Sequence, residues 1–163
     1  MTTFSRVLQA MRTRAMSPDR TVEATWNWSD GVSVVCRPGT LRHHSPAGFA
    51  RQVEWALSRL ASNSDRARRR AFGTSPRPHP EPWLAVTDTI EVEAASPRGL
   101  VRIRLHGFSG YHVDVAHTVG TFCEETVTEE VNAALHSVNE RFAARSAARQ
   151  AKPLHREALT NAA

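Results

Sequence analysis

The sequence predicts an α+β protein in which antiparallel β-meanders pack against amphipathic helices, built as two degenerate units in tandem. Three observations carry this expectation. Apolar residues alternate with polar ones over 90–94, 101–105 and 111–115, the period of a half-buried strand. Val127, Val131, Leu135, Val138 and Phe142 then recur at spacings of three and four, the period of a helix with one apolar face. The first half repeats the same succession of strands and helix in shortened form.

In the second half, Ile90, Val92 and Ala94 alternate with Glu91 and Glu93. Ser96-Pro97-Arg98-Gly99 supplies a turn with Pro second and Gly last, and Val101, Ile103 and Leu105 return with Arg102 and Arg104 between them. Folding the strands about a four-residue loop sets Glu93 opposite Arg102, Glu91 opposite Arg104, Val92 opposite Ile103 and Ile90 opposite Leu105. Gly107 to Gly110 make a second turn, after which Tyr111, Val113 and Val115 point inward and His112 and Asp114 outward. Thr126 with Glu129 reads as a capping box that opens the long helix, and Pro153 as its stop.

The first half starts with Phe4, Val7, Leu8 and Met11, which read as a short amphipathic helix carrying Arg6, Arg12 and Arg14 outside. Val22, Ala24, Trp26 and Trp28 alternate, Ser29-Asp30-Gly31 turns, and Val32, Val34 and Cys36 return. Ser45-Pro46 caps a helix with the stripe Phe49, Val53, Ala56, Leu57 and Leu60. Val53-Glu54-Trp55-Ala56-Leu57 matches Val131-Asn132-Ala133-Ala134-Leu135 in spacing. The third strand of this half is expected to be missing or reduced. The chain thus divides into a basic helix–hairpin–helix half at 1–75, a Pro-rich linker at 76–83, a three-strand-plus-helix half at 84–150 and a flexible tail at 151–163.

Charge is unevenly spread. The chain carries +5 overall, yet residues 1–75 hold 12 Arg against 5 acids, while residues 76–163 hold 8 Arg and 1 Lys against 11 acids. A basic half attracts nucleic acid or another polyanion. The competing explanation is compositional, since Arg outnumbers Lys 20 to 1 and Ala is abundant, as GC-rich coding produces. Arg66, Arg68, Arg69 and Arg70 crowd the end of the first long helix, with Arg51 and Arg59 on the same element. These six are the candidate phosphate-holding residues, because the guanidinium fork matches phosphate oxygens. Against that stands a solvated helix end whose charges suit the helix dipole. Trp26, Trp28, Trp55 and Trp83 have the π-faces to stack bases, but Trp26 and Trp28 fall on the apolar parity of their strand, which favours core packing.

Other chemistries find little support. The eight histidines lack the spacing of a zinc site, so no metal is expected. Glu91, Glu93, Arg102, Arg104 and Asp114 read as cross-strand ion pairs rather than acid/base groups. There is no Ser/His/Asp signature, Walker loop or GxGxxG, so no catalysis, cofactor or small-molecule substrate is expected. Cys36 and Cys123 stand in no close-spaced motif, which suits small, partly buried thiols in a reducing cytosol. No window approaches 18 apolar residues, and the first residues lack a signal-peptide core, so no membrane span is expected.

The second half also resembles a known family. Gly99-Leu100-Val101-Arg102-Ile103-Arg104-Leu105, a Gly-containing turn, Tyr111-His112-Val113-Asp114-Val115, and the helix with Val131-Asn132-Ala133-Ala134-Leu135 resemble the YbaB/EbfC nucleoid-associated proteins over about residues 88–148. The resemblance implies helix–three strands–helix order, dimerisation through the sheets, and cytoplasmic, nucleoid-associated DNA binding with weak sequence preference. The family has relatives encoded with type VII secretion systems, which implies as the alternative a protein-interaction module acting as an accessory or scaffold. This chain is longer than one family unit. If both halves are such units, the usual homodimer is replaced by an internal pseudo-dimer.

Overall fold

The computed structural model describes residues 11–72 and 88–150, and its class is α+β. Strands β1 (Arg12–Met16), β2 (Val22–Asn27) and β3 (Gly31–Cys36) form one antiparallel meander. A single turn α1 (Thr40–His43) leads to the long helix α2 (Pro46–Phe72). Strands β4 (Glu91–Ala95), β5 (Val101–His106) and β6 (Gly110–Val115) form the second meander. A 3-10 turn (His117–Thr121) leads to helix α3 (Glu124–Gln150).

The two halves repeat one another in detail. In both, a Ser-Pro turn closes the first hairpin: Ser17 N donates to Val22 O at 2.8 Å, and Ser96 N to Val101 O at 2.8 Å. Each serine hydroxyl then accepts from the same valine N–H, at 3.0 Å in either half. The fourth residue of that turn is left-handed in both, Gly99 at φ 69° and Arg20 at φ 63°. Gly99 adopts this without a Cβ clash, whereas Arg20 costs about 1 kcal/mol there. Past the third strand, Arg37 N donates to Thr21 O and Ala116 N to Leu100 O, each at 2.8 Å.

The first half therefore has its third strand, and the expectation that it is missing is corrected. That strand is β1, lying ahead of the hairpin, where residues 11–16 had read as the end of an amphipathic helix. Arg12 and Arg14 do point outward, as expected of the helix, but on a strand whose Ala15 is buried. Tertiary pairing with β2 outweighs the local pattern there. Residues 1–10, the linker at 76–83 and the tail at 151–163 lie outside the described residues.

The second hairpin keeps its faces and changes its register. Glu93 pairs with Arg104, Glu91 with His106, Val92 with Leu105 and Ala94 with Ile103. The loop consumes Leu100 as well as the turn, because Ser96 bonds Val101 directly. A slip of two residues preserves side-chain parity, so the ion-paired face survives: Glu93 lies 3.6 Å from Arg102 Nε and 3.9 Å from Arg104 Nε. At the start of α3 the expected capping box is also corrected. The helix opens at Glu124, so Thr126 sits inside it, its hydroxyl 3.2 Å from Cys123 Sγ. Cys123 is exposed rather than partly buried. Cys36 is buried, and burial pushes its thiol pKa up.

Each helix packs on its own sheet and on the third strand of the other half. Helix α2 covers β1 and β2 and also β6, while α3 covers β4 and β5 and also β3. The apolar stripes of both helices join one core with the inward residues of both sheets, among them Val34, Phe49, Ile103, Val113 and Leu135. Polar side chains seal the strand edges at this crossing. Asn132 Oδ1 accepts from Val34 N at 2.7 Å and its Nδ2 donates to Val34 O at 2.9 Å. One turn earlier Thr128 Oγ1 accepts from Cys36 N at 3.3 Å, and one turn before that Glu124 Oε1 accepts from Gly39 N at 2.9 Å. Reciprocally, Glu54 Oε1 on α2 accepts from Val113 N on β6 at 2.7 Å. Glu54 and Asn132 occupy matching positions in the two helices.

The outer edges, β1 and β4, are covered by the helix of their own half. Arg59 Nη1 donates to Met16 O at 3.3 Å and Asn63 Nδ2 to Arg14 O at 3.0 Å. Arg141 Nη1 donates to Glu93 O at 2.5 Å, and Arg145 Nη1 to Glu91 O. Edges occupied in this way are poor templates for strand addition.

The first Ser-Pro turn carries a pH signature. Asp19 Oδ1 accepts from Ser17 Oγ at 2.6 Å, Thr21 N at 3.0 Å and Thr21 Oγ1 at 2.9 Å, and Oδ2 lies 2.7 Å from His44 Nε2. Partial burial raises the carboxyl pKa, but the hydrogen bonds from Ser17, Thr21 and His44 outweigh it and lower the value from 3.8 to about 2. A folded-state pKa below the unfolded one contributes stability that is present above pH ~4 and is lost as pH falls from about 4 through 2. Asp19→Asn is expected to flatten that part of the stability curve in acid denaturation followed by circular dichroism. An unchanged slope would show that the turn contributes nothing there.

Candidate nucleic-acid interface

The solvent face of α2 gathers most of the sequence-predicted residues. Arg51, Trp55, Arg59, Ser62, Arg66 and Arg70 follow one another at steps of three and four, with Arg69 beside them. At 3.6 residues per turn these form one stripe, opposite the buried stripe of Phe49, Val53, Leu57 and Leu60. All seven are exposed. Ser45 starts the helix: its hydroxyl accepts from Gly48 N at 3.1 Å and its carbonyl from Phe49 N at 2.9 Å. Arg68 lies on the helix near its end, and its side chain is outside the described residues.

The arginines differ in what holds them. Arg59 is tied to the Met16 carbonyl, and Arg69 Nε pairs with Asp65 Oδ2 at 2.8 Å. An exposed pair one turn apart is worth only about 0.3–0.5 kcal/mol, so Arg69 is readily redirected. Arg51, Arg66 and Arg70 have no ion pair or hydrogen bond among the described residues. Arg59 and Arg66 also line an open hollow of about 380 Å³ between α2 and β1, with Ala15, Met16, Ser62 and Asn63.

The matching stripe of α3 is different in kind. It reads Glu129, Ala133, Ser137, Glu140, Ala144 and Ala148. The arginines of α3 do another job: Arg141 and Arg145 bind the β4 backbone, and Arg149 Nη1 donates to Thr89 Oγ1 at 2.6 Å. Two helices with equivalent packing roles thus carry opposite outward faces. The packing that the two helices share does not call for the outward arginines of α2, although arginine near the end of each helix also suits the helix dipole.

The tryptophans divide. Trp26 packs partly buried against the core, as expected. Trp28 and Trp55 do not: they are 54% and 51% exposed, Trp28 at the tip of the first hairpin and Trp55 in the middle of the arginine stripe. Parity misled for Trp28 because its strand ends at Asn27, where the Asn27 carbonyl oxygen Oδ1 accepts from Ser29 N and Asp30 N and turns the chain. Trp83 lies outside the described residues. Phe108, near the tip of the matching second hairpin, packs edge-on against Phe142 with ring centroids 5.3 Å apart.

His43, His106, His112 and His117 are exposed, and among the described residues no group of three or more His, Cys, Asp or Glu is placed to hold a metal ion. His112 Nδ1 lies 2.7 Å from Glu54 Oε1 and serves the α2–β6 contact. Glu91, Glu93, Arg102, Arg104 and Asp114 lie on the outward face of the second sheet, where Arg104 Nη2 is 3.7 Å from Asp114 Oδ2. No helix among the described residues is long and apolar enough to cross a membrane. No protein-family model matches the chain, and no curated protein and no solved structure matches it.

Proposed function

We propose that this protein binds DNA with weak sequence preference through the arginine face of α2, as a nucleoid-associated protein of the cytoplasm. The observation that carries the reading is the contrast between the outward faces of α2 and α3. Exposed guanidinium groups without acidic partners contribute the sequence-independent, salt-sensitive part of DNA affinity. The resemblance of residues 88–148 to the YbaB/EbfC proteins supports it. So does the crossing of the helices, which fits one chain acting as an internal pseudo-dimer. A protein scaffold is the second reading, favoured by the exposed Trp28 and Phe108 near the two hairpin tips.

A mobility-shift series on random duplex DNA separates them. With five arginines engaging phosphates, the slope of log K against log salt approaches about −4.5, so raising salt from roughly 50 to 200 mM weakens binding by on the order of several hundredfold. Replacing Arg66 and Arg70 with Ala is expected to reduce the slope by about 2 with the thermal midpoint unchanged. Folded protein that shifts no DNA at low salt would exclude this function and leave the scaffold reading.

A further inference from the structure

We infer that the strand this face prefers is single, with Trp55 stacking on an unpaired base between two phosphate-binding arginines; the inference rests on the nucleic-acid reading above. Trp55 is half exposed, whereas the other large apolar side chains described on this helix, Phe49, Leu57 and Leu60, are buried. It stands one turn from Arg51 and one turn from Arg59 on the same face, about 6 Å of helix axis to either side. Glu54 beside it is turned away, held by Val113 N and His112. At the matching place on α3 stands Ala133, between Glu129 and Ser137, so neither the ring nor its flanking charges are required by the packing the two helices share.

A duplex offers this face phosphates but no base faces, because its bases are stacked on one another. A single strand offers both. Aromatic side chains stack on unpaired bases without regard to sequence, while flanking arginines follow the backbone. A free nucleotide would satisfy the ring and one arginine, but would leave the rest of the stripe toward Arg70 without a partner.

Fluorescence anisotropy tests this with labelled oligo-dT and a random duplex of equal length, at one low salt concentration. The wild-type protein is expected to bind the single strand more tightly. Trp55→Ala is expected to weaken single-strand binding about tenfold and to change duplex binding less than about twofold. Trp55→Phe should recover most of the loss, and circular dichroism should report an unchanged fold, since the ring contributes little to the core. A Trp55→Ala variant indistinguishable from wild type on both ligands would overturn the stacking role while leaving DNA binding in place. Equal loss on both ligands would also overturn it, because a stacked base cannot account for duplex affinity. Failure of wild-type protein to bind either ligand would remove the nucleic-acid reading itself.

Discussion

Phe49→Ala is expected to destabilise both halves of the protein together, by about 3–5 kcal/mol. Phe49 is fully buried near the start of α2, and that helix packs on β1 and β2 of its own half and on β6 of the other. The loss combines the transfer free energy of the ring with the cavity it leaves. A domain of this size has roughly 5–15 kcal/mol to lose, so the variant would sit close to its unfolding threshold. Urea denaturation checks it with two probes. Among the described residues Trp26, Trp28 and Trp55 report the first half, and Tyr111, partly buried on β6, reports the second. The expected result is one coincident transition at a lower midpoint with unchanged m. A second-half transition that stays in place would mean the halves have separate cores.

Asn132→Ala is expected to cost about 2–4 kcal/mol, far more than an ordinary substitution on a partly exposed helix face. The amide satisfies both the N–H and the C=O of Val34, a fully buried residue on the free side of β3. Alanine leaves both backbone groups without a partner in a place water reaches poorly, and each unsatisfied group costs about 1–3 kcal/mol. Thermal unfolding of the variant measures the total. Amide hydrogen exchange at Val34 supplies the local check, with protection lost there before it is lost at Val22 on the central strand of the same sheet. A loss under about 0.5 kcal/mol would show that β3 is held by apolar packing alone.

Much of the local structure was legible because it is written in short-range pattern. The alternation at 90–94 and 101–105, the Ser96-Pro97 turn, the Ser45-Pro46 cap and the stripes of both long helices each involve residues within a few positions of one another. The same kind of pattern held the arginine face, since its steps of three and four mirror those of the buried stripe on the opposite side. What alternation alone could not give was register. Two pairings that differ by two residues bury the same side chains, and only the Ser96–Val101 bond distinguishes them.

The functions of Glu124, Thr128 and Asn132 were not legible, although their four-residue spacing is visible in the sequence. Polar residues beside an apolar stripe ordinarily face water, and nothing local says that a strand from the other half lies over them. Strand β1 was missed for a related reason. Its Thr13 and Ala15 are small, so its inward face carries no apolar alternation, and it becomes a strand by pairing with β2.

From its own pattern, the chain determined two sheet-and-helix units, which residues each unit buries, and an excess of arginine in the first. Only the tertiary structure decided that each helix crosses to the other unit's third strand, that the arginines of α3 are consumed on a strand edge, and that Arg51, Arg66 and Arg70 of α2 remain open on the face that carries an exposed indole. The physical reason is range. Side-chain parity and helical phase act over a few residues, whereas an edge N–H or a guanidinium finds its partner across the whole fold.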